Sequence, residues 1–333
     1  MRASKNKVKI LITGGTGFIG KHLVKTLCKK EHTVKVLVRK SSDVSWLKEL
    51  NAELVYGDIL NEESLFKACE GIEVVYHLSA KLGQWRVQEE EIYRVNVEGT
   101  KNLLDACLKN RISQFVFCST PGVIGKTGDK AAKEDLPYNP PYIYEKTKVE
   151  AEKLVIKYHR EKGLPITIIR PDFVYGPHDL RRLKLYRALK NNKFLIVGNG
   201  KAYLHPTYID DVIQGFELVM NNPKANGEIY NIAGPRPLTV NEYVETICEV
   251  LKVRVPRFKV PKIVAKGAAL VLEGLSYFTG KEPFISQSKI NFLTISHGSD
   301  ISKAKTQLGY SPQFEFKEGI ERTIKWCYQY NLL

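Results

Sequence analysis

Two residues in this sequence are placed for proton chemistry. Tyr144 and Lys148, within Tyr144-Glu145-Lys146-Thr147-Lys148, are four apart, so a helix would present phenol and ammonium on one face. Tyr142 and Lys146 have the same spacing. The run Tyr144-x-x-Thr147-Lys148-x-x-x-Glu152, with a small hydroxyl residue just before the lysine, selects Tyr144 and leaves Tyr142 to line a pocket or to pack. A phenol titrates near pH ~10 in model compounds and needs a neighbouring cation to act near neutrality. Upstream, the β-branched and aromatic run Phe115–Cys118 ends in Ser119-Thr120-Pro121-Gly122. Hydroxyls at the carboxyl end of a parallel strand lie where such folds bind ligands. Thr120 is the expected second donor to a substrate oxygen, with Ser119 packed behind it.

A second motif indicates what these groups act beside. Val8–Thr13 reads as a strand and leads into Thr13-Gly14-Gly15-Thr16-Gly17-Phe18-Ile19-Gly20, with a helix expected from about Lys21. Gly14, Gly17 and Gly20 permit a tight turn and close backbone approach, and the helix N-terminus offers free N–H groups to a pyrophosphate. Thr16, Phe18 and Ile19 complete this cofactor-binding turn. At the end of the second strand, where an acidic residue would hold the ribose hydroxyls of NAD, stand Arg39, Lys40 and Ser41. A guanidinium, an ammonium and a hydroxyl suit a 2′-phosphate, so NADP is expected over NAD. Asp58, followed by Ile59, is the expected acidic partner at the adenine end. With an oxidised nicotinamide and Lys148 beside it, the Tyr144 phenol is expected to titrate below its ordinary range, and Lys148 to bind the nicotinamide ribose.

The elements that must carry these residues follow a βα rhythm from Val8 to about Ile169. The expected strands are Val8–Thr13, Val34–Val38, Glu53–Tyr56, Val74–Tyr76, Phe115–Cys118 and Ile166–Ile169, with Ile229–Ile232 returning late to the same sheet. The expected fold class is α/β: a doubly wound parallel Rossmann sheet with a smaller, mostly helical C-terminal substrate lobe. Residues 1–172, with a return near 206–234, form the expected NADP-binding domain, and 173–205 with 235–333 the substrate lobe. Pro and Gly clusters at Tyr175-Gly176-Pro177, Val197-Gly198-Asn199-Gly200 and Gly234-Pro235-Arg236-Pro237 mark the crossings.

Composition narrows the classes further. The 333 residues, 43% hydrophobic and 26% charged, describe a globular chain with a large core. The formal charge of +15 comes without a basic block, which disfavours a nucleic-acid footprint. Cys28, Cys69, Cys107, Cys118, Cys248 and Cys327 show no metal-ligand spacing, so no metal site is expected and reduced thiols in a cytosolic protein are. The basic start, Met1 to Lys7, is followed at once by a strand, so no secretory signal is expected. Val260–Phe278 is apolar but interrupted by Lys262, Lys266 and Glu273, short of a membrane span. Its Leu270, Val271, Leu272, Leu275 and Phe278 are expected in a pocket or core, with peripheral contact to a bilayer as the alternative.

Taken together, Thr13-Gly14-Gly15-Thr16-Gly17-Phe18-Ile19-Gly20, His77-Leu78-Ser79-Ala80, Val95-Asn96-Val97-Glu98-Gly99-Thr100, Ser119-Thr120, Tyr144-x-x-x-Lys148 and Arg170-Pro171-x-x-Val174-Tyr175-Gly176-Pro177 resemble the extended short-chain dehydrogenase/reductase family over nearly the whole chain. The resemblance implies that Leu78 and Ala80 line the nicotinamide side, that Asn96 supports the site and that Pro171 and Val174 border the nicotinamide. It also implies a homodimer packed through helices near Glu91–Asn110 and Tyr144–Lys162. The Asp-Glu pair of the family's dehydratases is replaced by Pro121-Gly122. Arg39-Lys40, the apolar stretch 260–278 and an Arg-free Thr294–Ser299 incline the reading toward the 3β-hydroxysteroid dehydrogenase-like and dihydroflavonol reductase-like branch. That branch implies interconversion of a secondary alcohol and a ketone on a small, apolar, steroid-like substrate. A nucleotide-sugar 4-epimerase is the alternative, and a non-catalytic NADP-sensing protein the third. His178 and His205, near the crossings, are expected to be structural.

Overall fold

Strand β1, Lys9–Thr13, sends Ile10 and Ile12 into one apolar cluster and Leu11 into another, because successive side chains of a strand point to opposite faces. Strand β2, Thr33–Val38, divides in the same way, with Val34, Val36 and Val38 on one side and Leu37 on the other. Strands with two apolar faces belong in a sheet covered on both sides. The computed structural model, which describes residues 7–83, 87–128, 131–280, 283 and 285–333, contains that sheet.

Five further strands complete it: β3 (Ala52–Tyr56), β4 (Val74–His77), β5 (Gln114–Cys118), β6 (Ile166–Pro171) and the late strand Glu228–Ile232. All neighbours pair parallel, in the order Glu228–Ile232, β6, β5, β4, β1, β2, β3. All seven expected strands are therefore present, and Ile229–Ile232 does return to the same sheet. Chain order reverses between β1 and β4, where Thr13 lies opposite His77. A crevice at that reversal, outside the carboxyl ends of the strands, is where such sheets bind ligands.

Helices α1 (Phe18–Lys29), α2 (Glu62–Ala68), α3 (Glu89–Tyr93), α4 (Gly99–Lys109) and α5 (Ile143–Lys162) cover the sheet. A π-helical segment, Arg94–Glu98, joins α3 to α4. Helix α1 starts at Phe18, three residues before the expected Lys21, because Gly17 already takes the N-cap position. Beyond β6 follow α6 (Leu183–Lys190), α7 (Ile209–Val219), α8 (Val240–Leu251), α9 (Lys262–Thr279), α10 (Gln287–Thr294), α11 (Ser302–Leu308) and α12 (Phe316–Gln329). Helix α7 packs on α1 against the sheet, α8 on α12, and α9 on α10.

One expectation fails here. Leu270, Val271, Leu275 and Phe278 of α9 are exposed rather than in a core, since the helix buries its small residues Ala265 and Ala269 instead. Among the described residues no helix is long and apolar enough to cross a membrane. The six cysteines are free.

Candidate active site

The glycine turn is closed by backbone contacts that leave no room for side chains. Gly14 has φ +73°, and a Cβ there would lie 2.6 Å from the carbonyl carbon of Leu78 and from the nitrogen of Ser79. A Cβ on Gly20 would lie 2.2 Å from the Gly14 oxygen. Gly17 N donates to Gly14 O at 3.0 Å, which completes the turn. Gly17 provides no side-chain cap and the first turn of α1 holds no acidic residue, so its N–H groups face the crevice uncompensated. Thr16 and Gly17 are exposed and Phe18 and Ile19 half-buried along this edge. These features fit a dinucleotide pyrophosphate.

The cationic group lies at the end of β2. Arg39, Lys40 and Ser41 are exposed, in a turn closed by Ser42 N donating to Arg39 O at 2.9 Å. Neither Arg39 nor Lys40 has an ion pair among the described residues. Asp58 Oδ1 accepts from Leu60 N at 2.9 Å, as an ordinary turn aspartate does. Ile59 is buried beneath Gly99, where its side chain fills the space a Cβ would need.

Tyr144 and Lys148 lie in the first turns of α5. Lys148 is buried, its Nζ donates to Cys118 O at 2.7 Å and stands 3.9 Å over the Phe117 ring. This bond ties the helix to the end of β5, where Ser119 and Thr120 follow. Thr120 Oγ1 accepts from Gly122 N at 3.2 Å, which leaves its own O–H free to donate. A Cβ on Gly122 would meet Glu145 Cγ at 2.9 Å and Thr120 Oγ1 at 3.4 Å, so the first turn of α5 rests against the threonine turn. Ser119 Oγ is buried and has no hydrogen-bond partner among the described residues. It is an orphaned hydroxyl beside the crevice.

Burial dominates the electrostatics. It pulls Lys148 down to about 8, against upward contributions from Cys118 and Glu152. Within the chain itself the Tyr144 phenol is pushed up: the ring is only partly covered, yet desolvation, then Cys118 and Glu145, raise it well above its ordinary range, with Arg181 opposing. Lys148 directs its ammonium at Cys118 O, so the chain's own charges do not favour phenolate.

Asn96 lies in the π-helical segment, buried, where the extra residue in the turn directs it inward. Its Oδ1 accepts from Lys81 N at 2.7 Å, and its Nδ2 donates to Lys81 O at 3.0 Å and to Thr147 Oγ1 at 2.9 Å. Thr147 Oγ1 in turn donates to Tyr144 O at 2.7 Å. The loop after β4, with half-buried Leu78 and exposed Ala80, is thereby fastened to the helix that carries the phenol. His77 bridges Thr13 Oγ1 at 2.7 Å and Thr100 Oγ1 at 3.0 Å, and burial followed by Lys148 brings it down to about 3, so it is neutral.

Pro171 ends β6 and is buried, and Val174 is buried in the short pair Val174–Tyr175 with Thr207–Tyr208. The sequence reading gave Glu152 and Arg170 no role. Both are buried and form a two-point ion pair, Nε to Oε1 at 2.9 Å and Nη2 to Oε2 at 2.6 Å, that holds α5 to β6. Their motif positions were visible, but only three-dimensional proximity shows that they pair.

Tyr142 is exposed and its hydroxyl accepts from Asn291 Nδ2 at 3.1 Å, so it joins α5 to α10. His205 is structural: Nδ1 accepts from Ser299 N and Nε2 meets Gly234 O. His178 packs on Trp326, and burial, then Lys21, lowers it to about 4. Among the described residues no group of His, Cys, Asp and Glu could hold a metal.

A parallel nucleotide-binding sheet with tyrosine, lysine and threonine gathered at its carboxyl edge defines a class, the nicotinamide-dependent oxidoreductases. Residues 10–233 match the sequence profile of the NAD dependent epimerase/dehydratase family. The chain is similar to 3beta-hydroxysteroid-dehydrogenase/decarboxylase isoform 1 of Arabidopsis thaliana, 30% identical over 97% of this chain and 80% of that protein. In structure it is similar to gox2253, with TM-score 0.83 and 29% identity over 98% of this chain and 100% of that one. It is also similar to UDP-glucuronic acid 4-epimerase from Bacillus cereus in complex with NAD, with TM-score 0.79 and 27% identity over 97% and 99% of the two chains. The chain belongs to the NAD dependent epimerase/dehydratase family, in the 3β-hydroxysteroid dehydrogenase-like branch of the extended short-chain dehydrogenase/reductases, and is an NAD(P)-dependent enzyme.

Proposed function

We propose that this enzyme interconverts a secondary alcohol and a ketone on an apolar, steroid-like substrate and prefers NADP(H). The supporting observation is the locking of the Tyr144 helix, through Lys148 on Cys118 O and through Thr147 and Asn96, against the strand end that carries Thr120. The Gly14–Gly20 turn would hold the pyrophosphate of NADP(H), and Arg39, Lys40 and Ser41 its 2′-phosphate; the bound cofactor would supply or accept the hydride. In the reductive direction Thr120 donates a hydrogen bond to the substrate carbonyl oxygen, and Tyr144 gives that oxygen its proton. Burial keeps that proton on the phenol at neutral pH, the state donation requires. Lys148, its ammonium held by Cys118 O, fixes the helix that carries Tyr144 and would bind the nicotinamide ribose. In the oxidative direction Tyr144 takes the hydroxyl proton back.

The similarity to a 3β-hydroxysteroid dehydrogenase supports the substrate class. The likeness to a 4-epimerase favours a second reading, nucleotide-sugar epimerisation by the same three residues. Against it, Thr294–Ser299 contains no Arg, and Ser296 and Ser299 are engaged by Tyr203 N and by Asp172. A homodimer through α4 and α5, in a reducing compartment such as the cytosol, completes the proposal, the latter supported by six free cysteines.

Nicotinamide absorbance tests it, with NADP⁺ or NAD⁺ offered alongside hydroxysteroids, other secondary alcohols and nucleotide sugars, and the reduced cofactors alongside the matching ketones. Turnover of hydroxysteroids with NADP(H) preferred is the expected result. A flat trace while a nucleotide sugar changes configuration would establish the epimerase, and no conversion of any kind the non-catalytic reading.

A further inference from the structure

Helix α9 is amphipathic in the reverse of the ordinary sense. It is fastened to its lobe by Ala265 and Ala269, which cluster with Val197 and Ile290. Its exposed side carries Ile263 (87% exposed), Val264 (59%), Leu270 (64%), Val271 (63%) and Leu275 (55%), interspersed with exposed Gly267, Ala268 and Gly274. At ~100° per residue these positions share one arc of about 160°. No ionisable residue falls within it, since Lys262, Lys266 and Glu273 lie along its flank. A surface helix ordinarily turns its polar face to water, and a contiguous exposed apolar face marks an interaction surface.

The approach to the helix supplies the charge. Lys252, Arg254, Arg257 and Lys259 are exposed, with Val255 and Phe258 (79% exposed) between them. Lys262 and Lys266 continue the series, and no Asp or Glu occurs from Lys252 to Leu272. Cations interleaved with exposed apolar side chains, beside an apolar helix face, match an anionic lipid surface: the face enters the boundary between headgroups and acyl chains while the cations meet the phosphates. A second copy of this chain fits less well. A two-fold interface through α9 brings identical patches together, so the two cationic segments would approach one another.

We propose that α9, with the segment 252–260, docks this enzyme on the surface of an anionic phospholipid bilayer. The helix rests on the bilayer and does not cross it, in keeping with its length and its flanking charges. Asn291 of α10, the helix packed on α9, donates to the Tyr142 hydroxyl, two residues before Tyr144. The docking face is therefore tied to the rim of the active site, and apolar molecules dissolved in the bilayer gain a short path to it.

Docking is read without turnover, so it stands or falls independently of the substrate. The intact protein is sedimented with phosphatidylcholine–phosphatidylglycerol vesicles and with pure phosphatidylcholine vesicles, at low and high salt. Expected are binding to the anionic vesicles, weakening with salt, and a loss of ~tenfold or more in partitioning for the double variant Val271→Asp/Leu275→Asp. Arg254→Glu/Arg257→Glu, which alters only exposed charges, is expected to abolish the preference for anionic vesicles even if the first variant does not fold. Absence of binding to anionic vesicles, binding unaltered by these substitutions, or a dimer that Val271→Asp/Leu275→Asp dissolves without any lipid binding would overturn the proposal.

Discussion

Replacing Lys148 by Met should stabilise the cofactor-free protein while impairing its chemistry. Lys148 is 2% exposed, and burial pulls its ammonium from 10.5 to about 8. At about 1.4 kcal/mol per pH unit, keeping it charged costs the fold about 3 kcal/mol at neutral pH. Methionine removes that cost and keeps the apolar stem beside Phe117, but Cys118 O loses its donor, worth about 1 kcal/mol. The net gain is about 2 kcal/mol at pH 7. Below pH 8 the folded and unfolded chains both hold the proton and the cost is complete. Between 8 and 10.5 the folded chain has released a proton that the unfolded chain retains, so wild-type stability rises with pH across that window. Urea unfolding of both proteins at pH 7 and pH 10 measures this: the advantage of Lys148→Met should shrink by about 2 kcal/mol at the higher pH. A variant less stable than wild type at pH 7, with the same pH dependence, would mean that the buried ammonium does not burden the fold.

Three further outcomes follow from the geometry. Glu152→Gln leaves the buried Arg170 guanidinium without its counter-charge and should cost about 3–5 kcal/mol in urea unfolding; a loss under 1 kcal/mol would mean that the pair does not hold α5 to β6. Arg39→Ala should raise the dissociation constant for NADPH by roughly ten- to a hundredfold, the equivalent of a charge-assisted hydrogen bond, and leave NADH unchanged, as titration of cofactor fluorescence would report. Equal weakening of both cofactors would remove the 2′-phosphate from the account. Asn96→Ala breaks the link from Lys81 through Thr147 to Tyr144, so kcat should fall about tenfold or more while NADPH affinity changes little. Unchanged kcat would relegate Asn96 to packing.

The sheet was legible because its signal is local. Each strand is a short run carrying β-branched or aromatic residues, and buried parallel strands need no alternation to be recognised. The glycine turn was equally legible, since Gly14 and Gly20 are positions where the backbone admits no Cβ. The buried supports were less so. Nothing in Glu152 or Arg170 alone announces an ion pair eighteen positions apart, and the π-helical turn that directs Asn96 inward has no sequence mark. The rise in the Tyr144 phenol depends on desolvation, which spacing does not report. For α9 hydrophobicity misled: its larger apolar residues face outward because the small ones make the contact.

The proposed function makes Tyr144 the proton donor and acceptor of a hydride-transfer site. Tyr144→Phe keeps the ring and removes one oxygen, so the folded protein and its NADPH affinity should be preserved. Single-turnover hydride transfer with the substrate found in the absorbance screen should fall by roughly 10²- to 10⁴-fold, the range general acid–base catalysis supplies. Transfer within a fewfold of wild type, with cofactor bound, would contradict the account and pass the acid–base role to another group.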